Sequence, residues 1–176
     1  TGTVSLPKGT APKNGVAVTL YAVSGSDKAT EMVTIPEGAS SIEYNLYVPE
    51  GSGYKVYYTT ANEEYFLTGY YNKNGMVKDG EATTLIDVIS EDAENINIEL
   101  IANRIVSGKV SLPGKKADQD ISAEVIVALN SNILNSTAIV IPAGGSQASY
   151  SMYVPTGSGY NVSYKTQNVS YVEQGY

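Results

Sequence analysis

The sequence predicts an all-β protein built from tandem antiparallel β-sandwich modules, and three observations carry that prediction. Turn formers are frequent, with 17 Gly and 7 Pro in 176 residues. Between them lie segments of about five to eight residues, rich in β-branched and aromatic side chains and spaced about ten apart. Finally, the phrase YVPEGSGYKV at 47–56 returns as YVPTGSGYNV at 153–162.

The elements follow in chain order. A strand is expected over 2–6, and a second over 16–23 after the Lys13-Asn14-Gly15 turn. Strands over 31–35, 42–48 and 54–60 come next, then 65–71, 83–89 and 96–101. The glycines of Gly51-Ser52-Gly53 supply positive φ after Pro49, which presets a turn between two strands expected to run antiparallel. No helix start and no Lys-Ser/Thr follows those glycines, so they are not a phosphate-binding loop. The stretch DVISEDAENINIEL is broken by acidic residues and then alternates Ile96, Ile98, Leu100, a strand pattern rather than a helical one.

Sliding the chain against itself by 106 residues aligns about 27 of 70 positions identically, without a net gap. GTVSLP (2–7) falls on GKVSLP (108–113), Tyr65 on Tyr171, and Gly69-Tyr70 on Gly175-Tyr176. The expected domains are therefore 1–102 and 103–176. The second copy lacks the counterpart of 71–102, which would leave an apolar edge open. Three explanations stand: the chain is part of a longer array, the folding unit runs 71–176, or another chain donates the absent strands.

The two copies also sort the 15 tyrosines. Along 54–60, Tyr54, Val56 and Tyr58 share one face, and they return as Tyr160, Val162 and Tyr164. The other face changes from Lys55, Tyr57 and Thr59 to Asn161, Ser163 and Lys165. An unchanging face reads as core and a drifting one as wet surface. The shared Tyr44, Tyr47, Tyr54, Tyr58, Tyr65 and Tyr70 are thus expected to be structural. The unshared Tyr21, Tyr57 and Tyr71 are the candidate ligand-binding residues.

Composition excludes more than it assigns. With no Cys and no His, neither a thiolate zinc site nor a Ser-His-Asp triad is available. No shared position is Asp, Glu, Lys or Arg, so no carboxylate pair or calcium cage belongs to the common unit. The expectation is no enzyme, no catalytic residues, no cofactor and no metal site. A net charge of −7 repels phosphate backbones and anionic membranes, and no apolar run is long enough to span a bilayer. Nucleic acid and membrane insertion are not expected.

Three local features remain. The acidic run Asp87, Glu91, Asp92, Glu94 reads as a solvated turn before it reads as a calcium loop. Asn135, Asn161 and Asn168 each begin a glycosylation acceptor pattern. Lys8 or Lys13 with Asn95 or Asn97 forms a candidate isopeptide crosslink.

At GTVSLP, IPEGASSIEYNLYVPEGSGYKVYY and LTGYY the chain resembles the Ig-like, transthyretin-like (prealbumin-like, carboxypeptidase-regulatory-type) β-sandwich repeats of Gram-positive bacterial secreted and cell-surface proteins. The resemblance covers nearly the whole chain through turn and core signatures, which specify a fold and not a site. The Glu-Thr-x-x-Pro-x-Gly-Tyr type signature of isopeptide-forming relatives is absent. The resemblance implies a non-catalytic, extracellular spacer, stalk or adhesive unit. Its partners would be neighbouring domains of the same polypeptide, and an extracellular glycan or a host or partner protein. Two alternatives accompany it: a carbohydrate-binding module using exposed tyrosines, and a fibre or pilus subunit assembled by strand exchange.

Overall fold

The computed structural model describes residues 1–167 and is all-β; the only helical piece among them is a single 3-10 turn at Gly80–Ala82. Tyr171, Gly175, Tyr176 and the Asn168-Val169-Ser170 pattern lie outside the described residues. The chain divides into two compact units, Thr1–Ala102 and a second that starts at Asn103.

In the first unit, β1 (Gly2–Ser5) lies between β4 (Ser41–Tyr44), antiparallel, and β8 (Ile98–Glu99), parallel. A second sheet runs in the order β3 (Asp27–Ile35), β2 (Val16–Ser24), β5 (Gly51–Thr59), β6 (Thr68–Tyr70). Strand β7 (Ile86–Val88) pairs with the start of β5. On β2 the buried positions are Val16, Val18, Leu20 and Ala22, the period of two that places one face of a strand inward. They join Val4, Leu6, Tyr44, Tyr54, Tyr58, Ile98 and Leu100 in one buried cluster fed by both sheets. Burying each large side chain contributes roughly 1.5–3 kcal/mol.

In the second unit, β9 (Asn103–Ser111) pairs with β12 (Gln147–Pro155). Strand β10 (Ile121–Leu129) lies between β11 (Asn132–Ile141) and β13 (Asn161–Thr166). The pairings repeat those of the first unit. Gly2↔Tyr44, Val4↔Ile42 and Ser5↔Ser41 become Gly108↔Tyr150, Val110↔Ala148 and Ser111↔Gln147, each shifted by 106.

One strand breaks that shift. Val16 faces Ile35 while Ile121 faces Ile141, and Leu20 faces Tyr58 while Val125 faces Tyr164, so β2 and β10 correspond at 105. The lost residue lies just before the strand, where 12–15 is a Gly15-containing turn and 118–120 is one residue shorter. It is regained at a bulge: Val127 faces Asn135 and Ala128 faces Ile133, leaving Leu134 unpaired and β11 at 10 residues against 9 in β3. The two changes cancel, and ungapped sliding hides both. The identities Ala17/Ala123 and Ala22/Ala128 are therefore coincidental.

Other expectations are revised. The segment expected as a strand over 42–48 pairs only as far as Tyr44, and Tyr47 is 88% exposed rather than structural. Strand β12 continues because β9 supplies partners up to Pro155. Strand β3 starts at Asp27, earlier than expected, because a two-residue turn at Gly25-Ser26 makes a tight hairpin. Gly51-Ser52-Gly53 is not a turn between paired strands: these residues open β5, only Gly53 of the two glycines holds a positive φ, and the chain crosses from the β4–β1 sheet to the β5–β2 sheet over 45–50.

Candidate functional site

Alternation sends Tyr21 on β2 and Tyr57 on β5 to the outer face of their sheet, and the register places them directly opposite each other. Their rings stack at 4.7 Å between centroids with 13° between planes. Tyr70 on β6 faces Tyr57 from the other side at 5.4 Å and 37°. The Lys28 ammonium, reaching from β3, sits 4.9 Å from the Tyr21 centroid, a cation–π contact. At the opposite end Gly80 lies against Tyr70, where an added Cβ would come within 3.2 Å of the ring. The result is a row in the order Lys28, Tyr21, Tyr57, Tyr70, all three rings half-buried. Burial, then Tyr21 and Tyr70, push the Tyr57 phenol above its ordinary pKa.

Of the three candidate ligand residues, the fold thus brings Tyr21 and Tyr57 together and leaves Tyr71 apart. One residue beyond Tyr70, Tyr71 turns to the other face and packs on the buried cluster. Tyr70 takes the place expected for Tyr71. The β5–β6 register that puts it there is set by the loop over 60–67, which carries no alternation to read. The row also limits its own chemistry. Because Tyr21 and Tyr57 turn their faces to each other, the surface offers ring edges and hydroxyls rather than an open π-face. In the second unit Ile126 and Ser163 stand at the places of Tyr21 and Tyr57, so the row belongs to the first unit alone.

The repeated decamer is a latch at the sheet crossing. Tyr54, 1% exposed, folds back so that its hydroxyl donates to the Pro49 carbonyl at 2.9 Å. Tyr160 donates to the Pro155 carbonyl in the same way. A Cβ on Gly51 or Gly157 would meet the tyrosine hydroxyl at 3.3 or 2.7 Å, and Gly53 and Gly159 hold φ of +73° and +77°. The latch crowds the first glycine of each pair, and the left-handed backbone requires the second. Asp87 braces the first copy by accepting from Gly53 N at 2.8 Å, which gives that acidic residue a structural task.

Two further phenols are buried. Tyr44 donates to the Ile96 carbonyl at 2.6 Å, and its pKa is raised by burial first and then by Tyr71 and Glu31. Tyr58, 0% exposed, accepts from Ile101 N at 2.9 Å; burial outweighs that bond and pushes its pKa up to about 12. Beside Tyr44 is a cleft of about 270 Å³ walled by Leu46, Val48, Val56 and Ile96. It falls below the roughly 300–1,000 Å³ of small-molecule sites, and its Tyr44 hydroxyl is already engaged.

The remaining sequence candidates do not assemble into chemistry. Among the described residues no three acidic side chains gather to hold a metal ion. Lys8 and Lys13 are exposed in turns, while Asn97 Oδ1 accepts from Thr3 N at 3.1 Å and Thr3 Oγ1 at 3.0 Å. Asn135 spends its amide on the Tyr153 carbonyl at 2.9 Å, and Asn161 is exposed on β13. Comparison with protein-family models, with curated proteins and with solved structures finds no match to this chain.

Proposed function

We propose that the chain is a non-catalytic structural module of an exported bacterial surface protein: two tandem transthyretin-like β-sandwich repeats acting as spacer or stalk. The observation behind this reading is what the duplication keeps. Strand pairing, the tyrosine latch and the glycines that serve it recur in both units, while no acidic or basic residue does. A repeated fold without a repeated charged group suits a load-bearing role. Strand β9 begins at the residue after Ala102, so no linker residues separate the units in sequence.

Carbohydrate binding is the weaker reading, because the faces of Tyr21 and Tyr57 that a sugar would stack on are turned to each other. Force spectroscopy on the chain held between handles tests the spacer role. The expected trace has separate unfolding peaks, each releasing about 3.4 Å per residue of the unit that yields. Extension without a resolvable peak would remove the mechanical role.

A further inference from the structure

Residues 1–102 hold 14 acidic and 6 basic side chains, yet the outer face of the β3–β2–β5–β6 sheet carries no carboxylate among the described residues. Strands β2, β5 and β6 contain no Asp or Glu. In β3 Asp27 and Glu31 alternate to the opposite side from Lys28, and Glu31 accepts from Asn45 N at 2.9 Å. Basic residues sit on the outer face instead. Lys28 and Lys55 stand on either side of Val23 in the register, both exposed and neither paired with a carboxylate among the described residues.

The hydroxyls of this face also remain unbonded. Tyr44, Tyr54 and Tyr58 engage backbone with theirs, whereas those of Tyr21, Tyr57 and Tyr70 bond no protein group among the described residues. Stacking turns the edges of Tyr21 and Tyr57 outward, and an aromatic edge is the positive part of the ring quadrupole. In the next row Thr59 faces Thr19 on one side and Thr68 on the other. The second unit shows that the fold does not require this composition. There Glu124 and Lys165 face each other at the places of Thr19 and Thr59, and Ile133 and Asn161 replace Lys28 and Lys55, so the charges on that face cancel.

We propose that the outer face of the β3–β2–β5–β6 sheet docks a partner protein through an acidic surface segment. The partner's carboxylates meet Lys28 and Lys55, and the tyrosine and threonine hydroxyls donate hydrogen bonds around them. An edge-on row has no open π-face for a sugar ring, so the occupant is a protein and not a glycan. The row also orients it. At the far end Tyr70 abuts Gly80, flanked by Asp79 and Glu81, which places the partner's carboxylates over β3, β2 and β5. Four strands roughly 4.8 Å apart, followed over 17–23 at roughly 3.3 Å per residue, offer about 300 Å². That is well under the roughly 800 Å² per partner of a standard interface, so the contact is a transient one. The proposal rests on charge placement and not on the spacer reading.

The test is an NMR titration of the full chain with hexaglutamate, with hexaglutamine as the neutral control and polygalacturonate as the anionic sugar. Saturable shifts centred on Tyr21, Lys28, Lys55 and Tyr57 are expected, and they should shrink at about 0.5 M salt. Lys28→Gln and Lys55→Gln should each weaken binding roughly two- to fivefold, the range for exposed ion pairs. Lys8→Gln and Lys13→Gln, in exposed turns elsewhere, should leave it unchanged. Tyr57→Phe keeps the ring and removes the donor, so it should weaken binding where diffuse attraction would not register it. Absence of shifts up to roughly millimolar peptide, shifts centred elsewhere, or equal binding of hexaglutamine would each overturn the site. Equal loss from the Lys8 and Lys13 variants, or no loss from Tyr57→Phe, would overturn it in favour of diffuse attraction. Tighter binding of polygalacturonate per carboxylate at the same residues would overturn the assigned partner in favour of an anionic glycan.

Discussion

At the residue scale, the tyrosine hydroxyls are fastened to backbone and the glycines are there to admit the rings. Tyr54→Phe leaves the Pro49 carbonyl without its donor and should cost about 1 kcal/mol in urea unfolding. Gly69→Ala is expected to be worse. Its Cβ would lie 2.3 Å from the Tyr58 ring, which is fully enclosed, so backbone or core must move at a cost of roughly 1–3 kcal/mol. Tyr58 also imposes a pH limit. With its folded pKa at about 12 against 10.0 unfolded, its contribution is fully present below pH 10 and is lost as pH rises toward 12. The first unit should therefore weaken over that window, by on the order of 2 kcal/mol from this group. Tyrosinate absorbance should show Tyr58 ionising together with unfolding rather than ahead of it.

At the element scale, the aromatic row ties β2, β5 and β6 across their outer face. A double-mutant cycle on Tyr21→Ala and Tyr57→Ala should return a coupling of roughly 0.5–1.5 kcal/mol, the range for stacked aromatic pairs. A coupling near zero would mean the stack adds nothing beyond area. The bulge on β11 makes a separate prediction. Deleting Leu134 gives Val127, Ala128 and Leu129 the uninterrupted ladder that β2 and β3 already have, so melting of the second unit should change little. A large loss would show that the bulge is required by its surroundings. The alternation of Tyr54, Lys55, Val56, Tyr57 and Tyr58 was readable from residue types, and burial follows it, with Tyr54, Val56 and Tyr58 enclosed. Strand length was less readable. Residues 45–48 have the composition of a strand and form no ladder with β1, whereas their counterparts 151–154 on β12 pair with β9.

At the scale of the whole molecule, each unit has buried clusters made of its own residues. The first is sealed along β1 by β8, while the second keeps Val110 and Leu112 half-buried. Residues 1–102 alone should melt cooperatively and at a higher temperature than 103–176 alone, as followed by circular dichroism. The opposite order would mean that cover of the β1 edge contributes little to stability. Two facts about the candidate site follow from long-range pairing. Tyr70 joins the row and Tyr71 leaves it because the β5–β6 register decides which of two adjacent tyrosines faces outward.

The amino-acid sequence by itself determined the all-β class and the duplicated decamer. It also determined which face of the 54–60 strand is apolar, because period-two alternation and turn chemistry are local properties of the chain. Tertiary structure decided which strands share a sheet, where compensating one-residue changes fall, and which tyrosines stack. Those depend on hydrogen-bond partners far apart in sequence, and a shift of one residue in such a pairing turns every side chain to the other face.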